Sequence, residues 1–99
     1  MSYKDNISTI ASTNDRDYNW KKLSEELFEL GEVCMKMVNK KQDNRPRMER
    51  FIEEAGDVII RIDVIASIEE IVEPIASRKL EKTKKLVGYI DKGLYKGGV

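Results

Sequence analysis

The chain contains no histidine, one cysteine, two prolines, one tryptophan and no excess of either charge. Each absence removes a class of chemistry. Without histidine there is no imidazole for general base work, no Glu-x-x-His di-iron bundle and none of the usual zinc sites. Cys34 alone cannot close an internal disulfide; on the apolar stripe described below, it is expected to pack in a reducing compartment. Eighteen basic residues balance eighteen acidic ones, so net charge offers no argument for nucleic acid or an anionic membrane as partner. No apolar run approaches the ~18 residues of a membrane span, and the polar N-terminus lacks a signal-peptide core, so the cytoplasm is the expected location.

What is present is amphipathic and helical. Ninety-nine residues with 40% hydrophobic and 36% charged side chains suit one helical domain with a small core that self-association would supplement. Residues 1–17 are polar and weakly patterned apart from Ile7 and Ile10, and are expected to be a flexible or loosely docked arm with at most a helical turn. Residues 18–93 are expected to form the domain, with 94–99 as a tail. A first helix is predicted from about Asp17 or Asn19 to Lys40, with Leu23, Leu27, Leu30, Cys34, Met37 and Val38 as its stripe. The turn at 40–46 leads to a second helix from about Pro46 to at least Ser67, with Met48, Phe51, Ala55, Val58, Ile59, Ile62, Ile65 and Ala66 facing inward. Ile60, Val64 and Ile71 give that helix a second apolar face, which predicts a partner subunit. Gly56 predicts close approach by another helix. A break near Val72-Glu73-Pro74 precedes a last helix ending near Lys92.

Two acidic pairs stand out. Glu26 and Glu29 are spaced i, i+3, as are Glu54 and Asp57, and each pair projects from one helical face. Facing residues of an antiparallel hairpin have a constant index sum, and both Glu26 with Asp57 and Glu29 with Glu54 sum to 83. All four carboxylates therefore converge on one small volume, while Glu25 and Glu32 point to solvent. Gathered carboxylates repel unless a cation compensates them, and an all-oxygen donor set favours Mg²⁺, with Mn²⁺ as a substitute. Solvated surface charge is the ordinary explanation of a single such pair; two matched, inward-facing pairs in register reverse it.

Other residues extend the pattern. Lys79 projects from the apolar face of the last helix, with Lys82 at its border, and an ammonium beside a carboxylate-held metal suits a polyphosphate. A snorkelling stem is the alternative for Lys79. Arg61 is read as the i, i+4 partner of Asp57, with phosphate contact as the alternative. Trp20, Tyr18 and Phe51 could stack on a base or belong to the core.

These residues resemble a family. Glu-x-x-Glu, 24 residues, then Glu-x-x-Asp is similar to the signature of the MazG-like all-α nucleoside triphosphate pyrophosphohydrolases. Ser24-Glu25-Glu26-Leu27-Phe28-Glu29-Leu30 and Glu53-Glu54-Ala55-Gly56-Asp57-Val58 resemble its two motif helices. Arg78-Lys79-Leu80-Glu81-Lys82 resembles the start of its last helix, where a lysine assists phosphate binding. The likeness covers residues 18–92 and departs at Thr83, where many relatives carry asparagine or another larger polar residue.

The resemblance implies an all-α fold, an antiparallel helical hairpin plus C-terminal helix, with the bundle completed by dimerisation as a homodimer or a tetramer of dimers. It implies Mg²⁺-dependent cleavage of a nucleoside triphosphate to monophosphate and pyrophosphate. Metal ligands would be Glu26, Glu29, Glu54 and Asp57, with Glu29 also orienting the attacking water, and Lys79 and Lys82 would bind phosphate; Trp20 joins them as a substrate-binding candidate on its aromatic ring alone. A non-catalytic helical dimerisation or regulatory module is the alternative from another class. Phosphoribosyl-ATP pyrophosphohydrolase activity is the alternative within the same fold.

Overall fold

In a computed structural model of the chain, residues 1–38 and 45–93 are described, and among them the regular structure is entirely α-helical. Four helices follow in order: α1 (Tyr3–Thr13), α2 (Arg16–Met37), α3 (Arg45–Ile68) and α4 (Val72–Asp91). The predicted turn at residues 40–44 and the tail at 94–99 lie outside the described residues. Met1–Glu69 forms one compact unit and a second begins at Glu70; α4 belongs to the second and is described by itself.

The N-terminal segment differs from the expected loose arm. Ser2 caps α1 by a reciprocal box: its hydroxyl accepts from the Asp5 amide at 3.1 Å, and its own amide donates to the Asp5 carboxylate at 3.3 Å. The resulting 11-residue helix packs on α3, buries Ile7, and is tied down by a hydrogen bond from the Tyr3 hydroxyl to Asp63. Two residues separate α1 from α2. Asp15 caps α2 by accepting from the Tyr18 amide at 2.7 Å, and the fully buried Asn19 donates from Nδ2 to the Asp15 carbonyl at 2.9 Å. Arg16, the first residue of α2, pairs with Glu69 just past the end of α3, while Tyr3 holds the other end of α1 to Asp63.

The hairpin of α2 and α3 is the main packing of the first unit. Its core is Val33 from α2 with Val58, Val64, Ile65 and Ala66 from α3. The inward stripe of α2 is rotated from the expected one. Leu23, Glu26, Leu30, Val33 and Met37 are buried or half-buried, whereas Leu27, Cys34 and Val38 are exposed. A stripe of Leu, Cys and Val is the natural choice on hydropathy alone; the actual one admits Glu26 and leaves a row of apolar side chains outside. On α3, Met48 and Ile59 are likewise exposed and Glu54 is buried, whereas Asp57 and, on α2, Glu29, both expected to face inward, are exposed because each lies at the edge of the packed face. Ile71 lies past the end of α3, in the second unit, while Val64 is fully buried and Ile60 half-buried, so these two positions of the second face are covered within the chain. Packing of α1 on α3, anchored at Asp63 beside Val64, is the physical reason.

Among the described residues a Cβ at Gly56 would meet nothing within 4 Å, so the close approach expected there is not found in its unit. The break after α3 falls at Glu69–Ile71, earlier than predicted, and Glu70 takes the left-handed conformation at φ 57°. Pro74 lies in the first turn of α4, where its missing N–H leaves no helical bond unmade, so it permits the helix instead of breaking it.

Candidate metal and phosphate site

Carboxylate oxygens of Glu26, Glu29 and Glu54 lie within 4.8 Å of one another, brought together from α2 and α3. Glu54 is buried with 8% of its surface exposed, Glu26 is half-buried and Glu29 is exposed at the rim. The environment is charged and short of partners. Glu54 Oε2 and Glu26 Oε2 are both buried without a hydrogen-bond partner. The nearest compensation is Arg50, one turn before Glu54, whose guanidinium stands 3.6 Å from Glu54 Oε1. It does not suffice: burial, a hydrogen bond to Glu29 and the charges of Glu29 and Glu26 hold the Glu54 carboxyl above its ordinary 4.5 despite Arg50.

Asp57 stands one turn along α3, outside this trio. It lines a pocket of about 290 Å³ together with Glu26, Ile60 and Arg61. Glu26 therefore belongs to both groupings and links them. Glu25 and Glu32 are exposed, and Glu25 pairs with Lys22 at 3.3 Å, as expected for surface charge.

The other sequence candidates fare differently. Trp20 is 40% exposed and sits under the Arg16 guanidinium at 5.8 Å, and Tyr18 is exposed, so neither is core. Lys79 and Lys82 are exposed on α4, which buries none of its residues. Thr83 donates its hydroxyl to the Lys79 carbonyl of its own helix at 2.8 Å. The expected Arg61–Asp57 pair does not form; among the described residues Arg61 has no hydrogen-bond or ion-pair partner.

Sequence reasoning missed Asn19, whose burial serves the α1–α2 junction. Its position four residues after Asp15, itself an N-cap residue type, was the available signal. Asp63 was missed too, because its partner is 60 residues away. Comparison with protein-family models, with curated proteins and with solved structures finds no match. Among the described residues no helix is long and apolar enough to cross a membrane.

Proposed function

We propose that this chain is a Mg²⁺-dependent nucleoside triphosphate pyrophosphohydrolase of the MazG-like kind, cleaving between the α- and β-phosphates to release monophosphate and pyrophosphate. One observation carries the reading: carboxylates from two helices share a space of 4.8 Å, with an unpartnered, buried oxygen on both Glu54 and Glu26. A buried polar atom without a partner is destabilising, and three acids together compound that cost. A hard divalent cation fits the donor set, which is all oxygen.

Glu26, Glu29 and Glu54 would hold the ion, with Asp57 joining from the next turn of α3. A bound Mg²⁺ supplies charge for the phosphate oxygens and a water of lowered pKa. Glu29, at the solvent rim, is the residue suited to orient an attacking water and accept a proton. Glu54, enclosed and short of partners, is suited to holding rather than proton exchange. Lys79 and Lys82 keep the substrate role that the resemblance gives their helix, and Trp20 its role as a candidate stacking residue.

The exposed apolar row of α2 supports the companion proposal of self-association. Leu27, Phe28, Gly31 and Met35, with Lys36 and Arg47, line an open groove of about 820 Å³. The same groove would serve the rival reading, a non-catalytic interaction module. Thermal unfolding with and without millimolar Mn²⁺, followed by a screen of nucleoside triphosphates and phosphoribosyl-ATP for pyrophosphate release, tests both. The enzyme reading expects Mn²⁺ stabilisation and turnover; a module would show neither.

A further inference from the structure

The α2–α3 hairpin carries its charges in facing levels. Glu29 faces Glu54, Glu26 faces Asp57, and in the same register Lys22 faces Arg61. Each level lies three or four residues from the last, about 4.5–6 Å along the helix. Two acidic levels are thus followed by a basic one. The pocket at the boundary, about 290 Å³, is lined by Glu26 and Asp57 on its acidic side and by Arg61 on the other, with Ile60 between them in sequence.

Facing like charges are unfavourable unless something between them is of opposite sign. At the acidic levels that something is the proposed cation. At the basic level it would have to be an anion, and the two basic residues differ in what they have. Lys22 pairs with Glu25 on its own helix, and the charge of Arg61 opposes the upward pull of Glu25 on the Lys22 pKa, so the two cations sense each other. Arg61 is half-buried and has no partner among the described residues, although Asp57 is one turn before it. A half-buried guanidinium left unpaired beside an acidic site presents a fork of donors that matches phosphate oxygens.

We propose that Arg61 is the phosphate-binding residue of this site, taking non-bridging oxygens of a di- or triphosphate whose other oxygens are held by the metal on the acidic levels. The proposal rests on the metal-dependent reading above and adds the group that holds the anion. It places that group on α3, in the same compact unit as the acids, where Lys79 and Lys82 are not. The axial order of charge would also orient the substrate along the hairpin, its phosphates lying between the acidic levels and Arg61.

The test uses the whole chain and inorganic pyrophosphate. Titration calorimetry measures Mn²⁺ alone, then pyrophosphate at saturating Mn²⁺, for the wild type, Arg61→Gln and Arg61→Lys, with circular dichroism to verify folding. The expected result is that Arg61→Gln binds Mn²⁺ as well as or better than wild type, having lost a neighbouring positive charge, and binds pyrophosphate at least about tenfold more weakly. Arg61→Lys should recover only part, since the charge returns without the fork. Unchanged pyrophosphate affinity in either folded variant would overturn the proposal and leave the metal site standing. Wild type that fails to bind Mn²⁺ would overturn the metal reading and this proposal with it. Should Arg61→Gln not fold, Arg61→Lys decides alone, and equal affinity to wild type refutes the assignment.

Discussion

Arg47, near the start of α3, donates a hydrogen bond from Nη1 to the backbone carbonyl of Lys36 near the end of α2. Helix C-termini leave their last carbonyls without intrahelical donors, and Arg47 satisfies one of them. The two residue numbers sum to 83, the same register that sets Glu29 against Glu54 and Glu26 against Asp57. A contact near the α2 C-terminus thus shares the register at which the carboxylates meet, about two to three turns away.

From that register follows the comparison of Glu54→Gln with Glu25→Gln. Both remove one negative charge of identical chemistry; only Glu54 is buried among other acids. Loss of a metal ligand should lower pyrophosphate release by about 100-fold or more, while Glu25→Gln stays within about twofold of wild type. Release assays at saturating Mg²⁺ decide it, and equal rates would mean the wrong carboxylates.

Acidity gives an independent check in metal-free protein. The folded-state pKa of Glu54 is raised above its ordinary 4.5, chiefly by burial and then by Glu29. A raised carboxyl favours the protonated fold, so its contribution is fully present below pH 4.5 and lost as pH climbs through the higher folded value. With chelator present, Glu54→Gln should therefore be more stable than wild type at pH 7.5 and indistinguishable from it near pH 3.5. Urea unfolding at both pH values measures this. Equal stabilisation at both would remove the charge argument.

The helical hairpin and its acidic levels were legible because they need only two numbers, the 3.6-residue period and the position of the turn. That is why Glu26 and Glu54 could be set inward from sequence. The rotation of the α2 stripe was not legible. Leu27, Cys34 and Val38 satisfy the period as well as Val33 does, and hydropathy prefers them to a stripe containing Glu26. The docking of α1 was half legible: Ser2-Tyr3-Lys4-Asp5 is a capping-box pattern, yet the contact that secures the helix joins Tyr3 to Asp63 across 60 residues. Local pattern announces a helix and says little about where it lands.

That contact is testable by titration. The Asp63 carboxylate accepts from the Tyr3 hydroxyl, and this bond, partial burial and the Asp63 charge push the Tyr3 pKa up to about 12 from 10.0. Tyr3 should give a late component in a 295 nm titration, and both Tyr3→Phe and Asp63→Asn should abolish it. The pairing stabilises the fold below pH 10 and is lost as pH rises through 12. Because the pair is largely exposed, each substitution should cost only about 1 kcal/mol or less, and the double variant little more than either.

The groove along α2 yields the last prediction. Phe28 is 72% exposed and Met35 73%, on a helix whose opposite side is already packed on α3. Gly31 lies between them, and among the described residues a Cβ there would meet nothing within 4 Å. On an isolated chain Gly31→Ala should therefore add up to about 1 kcal/mol of stability through helix propensity. If a second copy seats its helix in the groove, the added methyl meets that copy instead and weakens the association. Phe28→Asp would place a charge in the same contact and should dissociate the oligomer while leaving the α2–α3 hairpin folded, since Phe28 faces away from it. Sedimentation equilibrium of wild type, Gly31→Ala and Phe28→Asp at micromolar concentration separates the cases. Self-association predicts an oligomeric wild type and a monomeric, helical Phe28→Asp; a monomeric wild type stabilised by Gly31→Ala would exclude it.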